Sequence, residues 1–126
     1  RIVRKGRIIL ETKEQSTGLN LPYYVGIVEG KRVGYGAADA DVYRAGLEVG
    51  DIVVLGSDGL FDNMHNWRIA NIVGSSKPLE EQAKELAMNA FELSLNQKYI
   101  SPCTDKSGII GGKPDDITVV VAKCVS

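Results

Sequence analysis

Gly50-Asp51-Ile52-Val53-Val54-Leu55-Gly56-Ser57-Asp58-Gly59 is a short apolar run closed at both ends by turn residues. A run of that length, Ile52 to Leu55, reads as a buried strand. A second such run, Ile117-Thr118-Val119-Val120-Val121-Ala122, lies near the end of the chain and follows Pro114-Asp115-Asp116. Asp58 thus trails one strand while Asp115 and Asp116 lead the other. If the two strands are antiparallel neighbours, the end of one lies beside the start of the other and the carboxylates converge. Carboxylates gathered without histidine or cysteine suit Mg²⁺ or Mn²⁺, because hard cations prefer oxygen ligands. Gly59 removes side-chain bulk beside Asp58. The plainer reading is that aspartates flank strands because they are turn residues, and spacing alone does not separate the two.

Outward from these strands the chain is mixed. The first fifty residues are rich in glycine, β-branched residues and tyrosine, with strand candidates at Arg7 to Thr12 and Tyr23 to Val28. Beyond the first apolar run, Asp62 is a good N-cap type. Asn63 to Val73 then carries Met64, Trp67, Ile72 and Val73 on roughly one face before Gly74, which predicts a short helix. Lys77-Pro78 opens the clearest helix, with Pro78 at its first position and Leu79, Ala83, Leu86, Ala87 and Ala90 along one stripe. Its charged residues, Glu80, Glu81, Lys84 and Glu85, form a solvated face. The helical segment extends to about Tyr99, and Asn96 to Pro114 reads as a loop. The class is α+β.

Composition narrows the functional classes. The chain has 126 residues, 15 Lys plus Arg and 16 Asp plus Glu, so no field of one sign favours nucleic acid or an anionic membrane surface. No apolar run reaches the roughly 20 residues of a membrane span, and the N-terminus lacks the apolar stretch of a signal peptide. Cys103 and Cys124 form no C-x-x-C unit, which argues against a zinc site and for free thiols. The segment starting at Asp58 is not an EF-hand loop, since its twelfth position is Ile69 rather than glutamate. Ser57 is not a hydrolase elbow, because Leu55 stands where the first glycine belongs. His65 reads as a solvent-facing helix residue.

Two longer blocks carry a resemblance. Residues Gly50 to Asn63, ending Ser57-Asp58-Gly59-Leu60-Phe61-Asp62-Asn63, resemble the metal block of type 2C (PPM class) serine/threonine protein phosphatases. Gly111-Gly112-Lys113-Pro114-Asp115-Asp116-Ile117-Thr118-Val119-Val120-Val121 is similar to the block that closes this family's domain. With Tyr99-Ile100-Ser101-Pro102 ahead of it, the nearest likeness is to the mitochondrial subgroup related to yeast phosphatase seven. A weaker likeness runs over residues 7–24, and residues 25–49 match loosely.

The resemblance implies that residues 1–126 are the C-terminal part of a single phosphatase domain, an α-β-β-α sandwich of two antiparallel sheets flanked by helices. It implies a phosphoprotein phosphatase as the parent protein. A centre of two or more Mn²⁺ or Mg²⁺ ions would deliver water directly to phosphoserine or phosphothreonine. Asp58 and Asp115 correspond to ligands of one paired ion, Asp62 to a ligand of a weaker third ion, and Asp116 to a supporting position. The family's first-half aspartate-glycine pair, phosphate-binding arginine and general-acid histidine have no counterpart in this chain, and His65 does not replace that histidine. The chain alone is therefore expected to be inactive and to bind the missing N-terminal half of the domain or to self-associate. A non-catalytic regulatory or binding module on the same scaffold is the alternative. Substrate and compartment are not legible in these residues; the subgroup resemblance points to an intracellular, mitochondrial setting.

Overall fold

The computed structural model describes residues 1–126 as two compact units, residues 1–11 with 46–126 and residues 12–45. In chain order the strands are β1 (Ile2–Arg4), β2 (Arg7–Leu10), β3 (Ser16–Gly18), β4 (Leu21–Pro22), β5 (Val25–Val28), β6 (Lys31–Gly34), β7 (Ile52–Gly56) and β8 (Val119–Lys123). The α-helices are α1 (Asp58–Phe61), α2 (Asn66–Val73), α3 (Leu79–Ser94) and α4 (Pro102–Ser107). Strands, antiparallel sheets and helices together bear out the α+β class.

The larger unit is built on one antiparallel sheet, ordered β2-β1-β7-β8. β1 and β2 join through Lys5 and Gly6, both at positive φ (48° and 74°), the conformation a tight right-twisting hairpin turn demands. Alternation along the strands separates two faces. Val3, Ile52 and Val54 turn inward and are buried with Leu60, Met64, Ile69, Ala70, Ile72, Val73, Leu86 and Ala90. By the register, Ile2, Val53, Leu55, Val120 and Ala122 share the opposite face, where Leu55 is 60% and Val120 51% exposed. An Arg4–Asp51 pair, with contacts of 2.8 and 2.7 Å, ties the end of β1 to the entry of β7.

The smaller unit, residues 12–45, consists of the antiparallel pairs β3–β4 and β5–β6 and a 3₁₀ turn at Ala37–Asp39. Tyr23 and Tyr35 stack at 3.8 Å between ring centroids.

Several local expectations shift. The helix expected over Asn63–Val73 begins at Asn66, and Asp62 is not its N-cap; it closes the preceding single turn, α1. The start moves because Leu60, Asn63 and Met64 are drawn inward by that turn. Trp67 consequently faces solvent at 59% exposure, and Ile69 and Ala70 take the inward positions. Pro78 stands one place before the first helical residue of α3, with an extended ψ of 148°. The loop expected over Asn96–Pro114 contains α4, started by Ser101, whose Oγ accepts from the Thr104 N–H at 3.2 Å, with Pro102 at the favoured first position. The strands expected at Arg7–Thr12, Tyr23–Val28 and Ile117–Ala122 are present with shifted ends, as β2, β5 and β8.

Candidate metal centre

β7 and β8 pair antiparallel with Gly56 opposite Val119, so the end of one strand meets the start of the other. Ser57 holds the two together just past the ladder. Its N–H donates to the Thr118 carbonyl at 3.1 Å, its Oγ donates to the Asp116 carbonyl at 2.8 Å, and Oγ accepts from the Thr118 N–H at 3.0 Å. Gly59 completes the junction, because a Cβ there would strike the Asp116 carbonyl oxygen. The glycine beside Asp58 therefore makes room for the neighbouring strand's lead-in, a closer demand than clearance for an ion.

At this junction Asp58, Asp62 and Asp115 all reach one group, the Lys113 ammonium. Lys113 Nζ lies 2.7 Å from Asp62 Oδ2, 3.4 Å from Asp58 Oδ2 and 3.4 Å from Asp115 Oδ2. Each outer carboxylate has its other oxygen engaged locally: Asp58 Oδ1 accepts from the Gly59 N–H at 3.0 Å and Asp115 Oδ1 from the Asp116 N–H at 2.9 Å. Asp62 is buried, and its remaining oxygen, Oδ1, takes the Lys106 ammonium of α4 at 2.8 Å. Burial works against the Asp62 charge, but hydrogen bonds from Lys106 and Lys113 outweigh it and hold its carboxyl below the usual range. Burial also disfavours the Lys113 cation, and the bond to Asp62 with the pull of Asp62 and Asp58 overcomes it, so its pKa rises.

Lys113, Lys106 and Asn63 are the members of this cluster that sequence reasoning missed. Asn63 is fully buried and clamps the Lys113 peptide: its Nδ2 donates to the Lys113 carbonyl and its Oδ1 accepts from the Lys113 N–H, both at 2.8 Å. The same Nδ2 donates to the Gly59 carbonyl at 2.9 Å. The signal was present in the proximity of Lys113 to two aspartates in sequence, but a lysine between glycine and proline reads as an ordinary loop residue. Asp116 contributes through its backbone rather than its carboxylate. His65 precedes α2 and is half-buried rather than solvent-facing, with Nε2 2.9 Å from the Ile100 carbonyl oxygen.

The donor set is all oxygen and already gathered about a positive charge, so it fits a hard divalent cation. With the lysine in place, no three ligand-type side chains close on a common ion position.

No protein-family model matches the chain. Curated relatives do. It is 31% identical over 135 residues to a human protein described as "Protein phosphatase PTC7 homolog", covering 96% of this chain and 44% of that protein. It is 32% identical to a rice "Probable protein phosphatase 2C 1", covering 98% of this chain and 41% of the relative. Among solved structures, that of the photosystem II phosphatase PBCP matches with a TM-score of 0.83 and 30% identity, over 97% of this chain and 53% of that one. The chain thus spans under half the length of these curated relatives.

Proposed function

Because the chain belongs to the type 2C protein phosphatase family, we propose that the intact protein hydrolyses phosphoserine and phosphothreonine in a protein substrate. In this reading Asp58 and Asp115 hold one ion of a Mn²⁺ or Mg²⁺ pair. The observation that supports it most is the meeting of their Oδ2 atoms at one cationic position, the Lys113 ammonium, 3.4 Å from each. When bound, such an ion pair supplies charge to polarise the phosphoryl group and to activate water.

The chain's own residues prepare the donors. The Gly59 and Asp116 N–H groups orient the two outer carboxylates, so each turns its other oxygen toward the shared position that Lys113 holds. Ser57 fixes the separation of the two strand ends that carry them. Asp62 stands where the resemblance places a ligand of a weaker third ion. Both its oxygens are engaged by lysines, so a share in ion binding requires a lysine to withdraw. A mitochondrial setting belongs to the same reading, carried by the subgroup likeness.

The test is Asp58→Asn and Asp115→Asn in the intact protein, assayed on a phosphothreonine peptide with Mn²⁺. Each variant loses a ligand and no core packing, so turnover should fall about 100-fold or more while the melting profile stays. Turnover within a few fold of wild type would overturn the ligand assignment. An inert wild-type protein would favour a regulatory module.

A further inference from the structure

We propose that Lys113 is a tethered counter-ion that competes with a divalent cation for Asp58 and Asp115, so that metal loading requires its ammonium to withdraw. The proposal rests on the metal reading above and concerns what this chain's lysine does toward that ion. Lys113 Nζ is placed against the oxygens a metal would need, because the other oxygen of each outer aspartate already accepts a backbone N–H. An ammonium and a divalent ion repel each other and cannot both occupy that space.

The contacts differ in a way that makes withdrawal feasible. Two are loose, at 3.4 Å to Asp58 and Asp115, and one is tight, at 2.7 Å to Asp62. Lys113 can therefore give up the outer pair and keep the buried one. Its backbone cannot follow, since Asn63 clamps its N–H and carbonyl. The movement is confined to the four-carbon side chain, which is 20% exposed and has solvent on one side. Asp62, held also by Lys106, is the post to which the ammonium retreats.

With the ion absent, the lysine offsets repulsion among the carboxylates; with the ion bound, it opposes loading. Removing it should weaken the metal-free fold and strengthen metal binding together, a pair of effects that a merely structural lysine does not produce.

The experiment compares wild type, Lys113→Gln and, as a control away from the cluster, Lys77→Gln in the intact protein, by Mn²⁺ titration calorimetry and by thermal melts in EDTA and in saturating Mn²⁺. Lys113→Gln should lower the Mn²⁺ Kd by about three- to tenfold, melt earlier in EDTA and gain more from Mn²⁺ than wild type. Lys77→Gln, which removes an ammonium paired with Glu85 at 2.6 Å and touching none of the three aspartates, should leave the Kd within about twofold. An unchanged Kd for Lys113→Gln, with equal melting losses in EDTA and Mn²⁺, would overturn the competition while leaving the metal reading intact. Absence of Mn²⁺ binding in wild type would overturn both. If Lys113→Gln does not fold, the ¹³Cε resonance of Lys113 in wild type decides: it should shift along a Mg²⁺ titration, and a static resonance at saturation would contradict the proposal.

Discussion

Asp51 carries a close, two-point charge pairing with Arg4 in the larger unit. The Arg4 guanidinium grips both its oxygens, and the Glu48 N–H adds a third bond at 2.8 Å, holding its carboxyl at about 2 against an ordinary 3.8. A folded-state pKa below the unfolded one contributes stability above the unfolded value that disappears as pH falls through the folded one. Thermal melts of the intact protein should therefore lose stability between about pH 4 and pH 2. Asp51→Asn should flatten that part of the profile, and an equally steep variant would show that other carboxylates dominate. Gly59 sets a second residue-scale expectation. Gly59→Ala forces a Cβ against the Asp116 carbonyl, which should cost about 1–3 kcal/mol and weaken Mn²⁺ binding by displacing Asp115. Full retention of both would mean the junction yields freely. At this scale the placing of Asp58 and Asp115 was legible, because opposite strand ends in an antiparallel pair must meet. Lys113 was not, because a side chain that folds back onto its own neighbours and onto a distant turn leaves no periodic trace.

Among the elements, α3 was the most legible, since a long helix repeats its apolar stripe often enough to show the period. Its Leu86 is fully buried, so Leu86→Ala should cost about 2–5 kcal/mol in chemical denaturation. A cost below about 1 kcal/mol would place Leu86 outside the core that the helix covers. α2 was legible in existence but not in phase: its eight residues gave too few turns to fix the face, and Trp67, grouped with Met64, Ile72 and Val73, lies outside while Ile69 and Ala70 lie inside. α4 left no periodic signal over six residues, and only Ser101-Pro102 marked its start. Its role is local and large, because it carries Lys106 to Asp62 and donates the Cys103 N–H to the Asp62 carbonyl at 3.0 Å. Ser101→Ala removes the helix cap and should destabilise by about 1 kcal/mol.

For the whole molecule, the sheet has one face under α2 and α3 and another on which Ile2, Val53, Leu55, Val120 and Ala122 stand together. That second face is apolar and partly exposed, as expected of a layer meant to pack against another sheet. The 126-residue chain by itself should therefore associate on size-exclusion chromatography and show no Mn²⁺-dependent turnover of a phosphothreonine peptide. A monomer with such turnover would mean that a complete site exists within these residues. Helices and antiparallel strands were legible from periodicity, whereas the division at residues 12–45 was not, since it depends on which hairpins pack together and not on local composition. The central claim, that Asp58 and Asp115 share a divalent cation, is tested most directly by anomalous diffraction from Mn²⁺-soaked crystals of the intact protein. The account predicts a manganese peak with one oxygen of each carboxylate about 2.0–2.4 Å away; a peak elsewhere, or none between these two side chains at saturating Mn²⁺, would contradict it.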